Sequence, residues 1–271
     1  MRIQMRRSRI RVLPQGIRVA GVLAFGMYAV AALLFPAPPN AAAADPASRY
    51  AQCMDLAAIN PQQALETAAA WIEQGGGDAA GHCAASALMG LDRHKEAAAA
   101  FETLAENAST HPKTRAALLG HAGQAWLMGR DPNQAVAVLS RAITLAPDDP
   151  ALLVDRAQAK FDLRLYQAAV ADLDAALELD PKLPDAYVFR ASAHRRLEDL
   201  DRAGADANKA IALDSLHPEA LLERGMIHKL KGDKVAARRD WLTLMTVAPN
   251  TEAARIAQAN VDRMDAGINF D

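Results

Sequence analysis

Few side chains in this sequence stand at the spacings that catalysis or metal binding requires. The seven histidines are scattered, and none lies in an H-E-x-x-H motif, at a nucleophile elbow or beside a glycine-rich phosphate loop. The glycines at 75–77 form the only run of three, and no Lys-Ser or Lys-Thr follows them. The sequence therefore predicts no catalytic residue, no metal site, no cofactor and no small-molecule substrate.

Two histidines and the close carboxylate pairs are the remaining candidates for chemistry. His194 and His228 lie at equivalent positions of an internal repeat, and Asp172 and Asp174 form one of the carboxylate pairs. The histidines could form a metal or proton site, but they also suit an aromatic packing position that has a polar edge. We expect carboxylate pairs of this kind to lie at helix starts or on exposed faces, where water solvates them.

The elements that would position these residues come from the repeat. Residues 116–251 contain four copies of a 34-residue unit with no insertion between them. Aligning the copies stacks small residues in shared columns, which include Gly123, Ala157, Ala191 and Gly225, and also Ala135, Ala169, Ala203 and Ala237. Each copy predicts two helices of about 14 residues from its apolar spacing. The small columns mark close helix crossings, and stacked units would share one continuous core.

The repeat resembles the tetratricopeptide repeat, which has the pattern W-x2-L-G-x2-Y, A-x3-F and P in a unit of about 34 residues. The matches include Gly123, Trp126, Ala135 and Pro147; Ala157, Tyr166, Ala169 and Pro181; Tyr187, Ala191 and Ala203; and Gly225, Ala237, Trp241 and Pro249. The departures are Lys160, His194 and His228 at an often aromatic position, and Ser215 at the proline position.

The resemblance implies an all-α, right-handed α-solenoid of tandem helix-turn-helix repeats. Residues 45–111 would form degenerate N-terminal repeats, residues 112–251 the four regular repeats, and residues 252–271 a cap helix and a tail. The cap helix is expected to expose Arg255, Gln258, Asp262 and Arg263.

The first 44 residues predict export. Residues 1–18 contain six arginines and no acid, residues 19–35 are apolar, and prolines and the alanines at 41–44 follow. This order indicates a signal peptide cleaved after Ala44, or an uncleaved membrane anchor through residues 19–35. Both alternatives place the repeats outside the cytoplasm, in the periplasm or the medium. A chain cleaved after Ala44 would keep 24 of the 30 basic residues and all 32 acidic residues, which gives a net charge of −8. A negative charge of this size disfavours nucleic acid as a partner.

Cys53 and Cys83 are the only cysteines. Both fall on first helices of adjacent units, and export would place them in an oxidising compartment, so we expect a disulfide. It would close a loop of about 30 residues and contribute about 3–4 kcal/mol in the chain-entropy model. The alternative is a pair of buried free thiols.

The family resemblance implies that the first helix of every repeat lines a concave groove. The predicted groove residues are Gln124, Val154, Asp155, Gln158, Phe161, Val188, Phe189, Ser192, Arg195, Arg196, Leu222, Met226 and Lys229. Such a surface suits an extended peptide or a helix with apolar side chains and mixed charge. The alternative is that several of these residues are ordinary packing between helices.

We therefore expect a non-catalytic exported adaptor that binds an unknown protein or peptide in its groove. The alternatives are a self-assembling structural component and an envelope-acting hydrolase, for which the sequence offers no nucleophile paired with a base.

Overall fold

The computed structural model describes residues 45–106 and 111–267, and this part of the chain is all helical, with no strand. The predicted signal or anchor at 1–44 and the predicted tail at 268–271 lie outside the described residues. Among the described residues, no helix combines the length and the apolar character that a membrane span requires.

Thirteen helices follow one another in the described residues. They are α1 Pro46–Ile59, α2 Pro61–Glu73, α3 Gly77–Gly90, α4 His94–Glu106, α5 Pro112–Met128, α6 Pro132–Leu145, α7 Pro150–Asp162, α8 Tyr166–Leu179, α9 Pro184–Arg196, α10 Leu200–Leu213, α11 Pro218–Leu230, α12 Lys234–Val247 and α13 Glu252–Asp265. Helices α5–α12 form the four regular repeats, with a first and a second helix in each. The predicted tandem arrangement of helix-turn-helix units is confirmed.

The turn inside each regular repeat places one residue in the left-handed region. The residues at this column are Arg130, Arg164, Glu198 and Gly232, with φ between 57° and 84°. Only the fourth repeat has glycine there, the residue that adopts this conformation without steric cost. In three of the repeats the next residue is an aspartate that caps the second helix by accepting a hydrogen bond from a backbone amide: Asp131, Asp199 and Asp233.

The columns of small residues lie where the two helices of a repeat cross. A methyl group built at Gly225 would come within 2.3 Å of Nε1 of Trp241, and one at Gly123 within 2.5 Å of Cγ of Leu139. Both contacts are far closer than van der Waals packing allows. A residue larger than glycine at Gly123 or Gly225 would therefore displace the facing side chain of the second helix, which agrees with the predicted close crossing.

Helix α13 follows the four regular repeats, at the position of a further first helix. It begins one repeat period after α11 and buries Ala253, Ala257 and Val261 against the last regular repeat. The residues on its outer face are exposed, namely Arg255, Gln258, Asp262 and Arg263. The four residues that the sequence predicts to be exposed therefore do lie on the solvent-facing side of α13.

A disulfide joins the first two N-terminal units. Cys53 of α1 and Cys83 of α3 are bonded, with Cα atoms 6.0 Å apart, and both side chains are buried beside Trp71 and Ala80. The bond cross-links two first helices, as the sequence predicts.

Candidate functional site

The predicted groove residues all lie on α5, α7, α9 and α11, and each of these first helices contacts the next. We call this the first-helix surface. Two of its residues are exposed: Gln124 and Arg196. Ten are half-buried: Val154, Asp155, Gln158, Phe161, Phe189, Ser192, Arg195, Leu222, Met226 and Lys229. The surface therefore keeps side chains within reach of a partner along its length.

The apolar part of the first-helix surface is centred on α7 and α9. Val154, Phe161 and Phe189 are half-buried and pack on the edge of one core cluster. Val188 is different, because only 7% of it is exposed and it packs with Ala210 and Ala220. Val188 is thus a packing residue between helices and offers no surface to a partner, contrary to the sequence expectation.

Arg195 is engaged within the protein. Its Nε donates to Oε1 of Glu223 at 2.5 Å and its Nη2 to Oε2 at 3.1 Å, which joins α9 to α11. Glu223 is only 6% exposed, so removal of the arginine would leave a buried carboxylate uncompensated. Arg195 therefore stabilises the stack of first helices and is not a simple contact residue for a partner.

Asp155 lies on the same surface without a described cation beside it. Its Oδ2 accepts a hydrogen bond from Nε2 of Gln124 on α5 at 3.1 Å. The pKa of Asp155 is raised to about 6, mainly by burial; the hydrogen bond from Gln124 lowers it, and the charge of Asp149 adds to the increase. The carboxyl group is thus poorly solvated and only partly compensated.

The C-terminal end of the first-helix surface meets the cap. Met226 and Leu222 are half-buried against the last core cluster, and Nδ2 of Asn260 on α13 contacts the Met226 sulfur at 3.3 Å. Burial, together with the nearby charge of Arg263, lowers the pKa of Lys229. The cap thus forms one wall of this end of the surface.

Three repeats contain a buried ion pair that joins their two helices. In each pair, an arginine on the first helix donates Nε and Nη2 to both oxygens of an aspartate 16 residues later, at 2.7–2.9 Å. The pairs are Arg156–Asp172, Arg190–Asp206 and Arg224–Asp240, and we call them the arginine ladder. Its aspartates are 2–7% exposed.

The arginine ladder also connects successive repeats. The remaining nitrogen, Nη1, donates to a residue on the second helix of the preceding repeat, 16 residues earlier, at 2.6–3.3 Å. The acceptors are Ser140, Asp174 and Asn208. Each arginine therefore fixes three helices relative to one another.

The expectation that Asp172 is solvated was wrong, because this carboxylate is buried and paired, whereas Asp174 is exposed.

The residues at the often aromatic position lie beside the ladder. Lys160 Nζ is 2.6 Å from Asp172, His194 Nε2 is 4.0 Å from Asp206, and His228 Nε2 is 3.8 Å from Asp240. Each histidine thus faces the aspartate of its own repeat. No group of three or more potential metal ligands occurs within residues 45–106 and 111–267.

The sequence contains a pattern that indicates the arginine ladder, although the expectation of solvated carboxylates did not use it. Its arginines share one column and its aspartates another, and the first regular repeat lacks both, with buried Ala122 and Val138 in their places. The two columns change from polar to apolar together. Joint replacement is what a buried pair requires, because either charge alone would be uncompensated.

Comparison with known proteins identifies the repeats. Models of the tetratricopeptide repeat match residues 84–150, 124–194 and 184–215. Together, these matches span residues 84–215, which are similar to the tetratricopeptide repeat. No curated protein matches the chain.

Several solved structures share the fold. A chain of the APC/C hetero-tetramer Cut9-Hcn1 is 16% identical with a TM-score of 0.63, and the match covers 80% of this chain and 42% of that one. TTC0263, a thermophilic tetratricopeptide protein of Thermus thermophilus, is 18% identical with a TM-score of 0.57, over 68% of this chain and 97% of that one. MamA of Desulfovibrio magneticus RS-1 is 19% identical with a TM-score of 0.52, over 62% and 93%. At these identities the likeness concerns the fold alone.

Proposed function

We propose that this protein is a non-catalytic adaptor that binds another protein or a peptide on its first-helix surface. The observation that carries the proposal is the half-buried aromatic pair Phe161 and Phe189, which lies with Val154 on a surface shared by successive first helices. Partly exposed aromatic residues in a continuous surface are typical anchors for a partner side chain. Repeat arrays present such extended surfaces for binding, which supports this function.

Site-specific photo-cross-linking in the native cell tests this proposal. A photoreactive amino acid at Ser192, on the same helix as Phe189, is expected to form a discrete adduct with a partner. The same amino acid at Leu179, which is 47% exposed on the second helix α8, is the matched control. Adducts that are the same at both positions, or no adduct at Ser192, would overturn the assignment of the surface.

A variant links the adduct to the aromatic anchor. Phe189→Ala should reduce the adduct at Ser192 several-fold while the helical content measured by circular dichroism stays the same. Arg195 is unsuitable for this purpose, because its loss would leave the Glu223 carboxylate buried without a cation. An undiminished adduct in the Phe189 variant would remove the aromatic pair from the binding site.

We propose in addition that the repeats act outside the cytoplasm. The basic, apolar and small-residue segments of the first 44 residues support export, and the bond between Cys53 and Cys83 suits an oxidising compartment. N-terminal sequencing of the protein from cell fractions is the test. A soluble protein that begins at Asp45 indicates cleavage, and a full-length protein in the membrane fraction indicates an anchor. A full-length protein in the cytoplasmic fraction would refute export.

A further inference from the structure

The buried carboxylates of this protein follow a common pattern, and Asp155 departs from it. Asp172, Asp206, Asp240 and Glu223 are each less than 9% exposed, and each receives two hydrogen bonds from an arginine. Asp155 is half-buried on the first-helix surface, yet among residues 45–106 and 111–267 its side chain accepts only from the neutral amide of Gln124. A buried carboxylate is costly unless a cation or several donors compensate it.

The repeat register shows which cation is missing. Asp155 and Glu223 lie two repeat periods apart and therefore occupy the same column. Glu223 is held by Arg195, which lies 28 residues earlier on the preceding first helix. The residue 28 positions before Asp155 is Leu127, which is half-buried at the end of α5. An apolar side chain thus occupies the position from which an arginine would reach the carboxylate.

The surroundings of Asp155 favour a cation that comes from outside. Asp149 adds negative charge, and the structure gives no described cation that acts on the carboxyl group. Phe189 occupies the column of Asp155 one repeat later, on the neighbouring first helix, and packs in the same cluster as Val154 and Phe161. A carboxylate next to an apolar surface suits a side chain with an aliphatic stem and a charged end.

We propose that Asp155 binds a lysine or arginine side chain of the partner, next to an apolar partner residue that packs on Phe161 and Phe189. The inference rests on the proposed function, because it names the chemistry that the first-helix surface recognises. A charge-assisted hydrogen bond from the partner would replace the internal arginine that Glu223 has and Asp155 lacks.

Peptide titrations followed by NMR test the site. The probe is the capped peptide acetyl-Ala-Lys-Ala-Leu-Ala-Phe-Ala-amide, and its matched controls carry norleucine or glutamate in place of lysine. We expect the lysine peptide to bind wild-type protein about tenfold more tightly than the norleucine peptide, as a charged hydrogen bond predicts. The glutamate peptide should bind more weakly than both.

Three variants assign the preference to Asp155. Asp155→Asn should abolish the tenfold difference, and Asp162→Asn, which changes an exposed carboxylate on the same helix, should preserve it. Leu127→Arg copies the Arg195–Glu223 arrangement and should also abolish the difference by filling the site from within. Leu127→Met controls for loss of the leucine.

The outcomes separate this inference from the proposed function. Equal binding of lysine and norleucine peptides by wild-type protein would overturn the role of Asp155 and leave an apolar binding surface in place. A lysine preference that survives Asp155→Asn would also overturn it. If no peptide binds although Ser192 cross-links to a partner, the basic-residue inference fails and the adaptor function stands.

Discussion

Loss of one arginine from the ladder should destabilise the protein strongly. Asp240, which is 2% exposed in the wild-type protein, would lose hydrogen bonds of 2.7 and 2.8 Å in the Arg224→Ala variant. The contact of 3.3 Å between Arg224 and Asn208 would be lost as well. Removal of one partner from a buried ion pair costs about 3–5 kcal/mol, mostly because the remaining charge is uncompensated. We expect a loss of this size in the free energy of unfolding.

The first regular repeat supplies the matched double variant. Arg224→Ala combined with Asp240→Val reproduces Ala122 and Val138, the apolar pair at the same columns. Because the double variant has no buried charge, it should be more stable than Arg224→Ala alone, with a coupling energy of at least about 2 kcal/mol. Urea unfolding at pH 7, followed by tryptophan fluorescence and by circular dichroism, measures both variants; Trp241 lies in the same repeat and contributes to the fluorescence.

Two results would refute this reasoning. A loss below about 1 kcal/mol for Arg224→Ala would mean that water or His228 compensates the aspartate, since a screened surface pair has that value. Additive effects of the two substitutions would mean that the residues do not act as a pair. Either result would mean that the ion pairs of the arginine ladder do not stabilise the repeats.

Two further substitutions test single side chains. Asp155 has a pKa of about 6 in the folded protein, above its usual 3.8, so folding disfavours its ionised form and stability falls as the pH rises between these values. Asp155→Asn should therefore raise the unfolding free energy at pH 7.5 by up to about 3 kcal/mol. This gain should shrink towards pH 4, which thermal melts at a series of pH values would measure. Gly225→Ala should cost about 1–3 kcal/mol in urea unfolding because of the contact with Trp241, whereas Gly204→Ala, which meets no atom closer than 3.7 Å, should be neutral or stabilising. A constant effect of Asp155→Asn across pH, or equal effects of the two glycine substitutions, would contradict these expectations.

Much of the fold was predictable because its cause repeats along the chain. The column of Gly123, Ala157, Ala191 and Gly225 reflects helix crossings that leave no room for a larger side chain. The exposure of Arg255, Gln258, Asp262 and Arg263 on α13 was predictable from the helical spacing of these polar residues. The disulfide followed from placing Cys53 and Cys83 on neighbouring first helices.

The candidate site was less predictable, because the burial of a polar residue depends on its partner. The sequence predicts both Arg195 and Asp155 as groove residues. In the structure, Arg195 pairs with the Glu223 carboxylate, whereas Asp155 accepts from Gln124 and has no described cation beside it. Asp172 read as solvated because an aspartate on a helix usually is, and only the matching column of Arg156 reveals the pair. The pattern that predicts these pairs is an arginine column followed by an aspartate column 16 residues later.

The arginine ladder allows the array to gain or lose complete repeats without loss of its buried ion pairs. Each arginine uses the same offset of 16 residues towards its own aspartate and towards the preceding second helix. Deletion of residues 156–189 would join Asp155 directly to Arg190, which would keep Asp206 and meet Ser140 in place of Asp174. Gene duplication or loss of one repeat-length segment would therefore preserve the buried pairing while lengthening or shortening the surface available to a ligand.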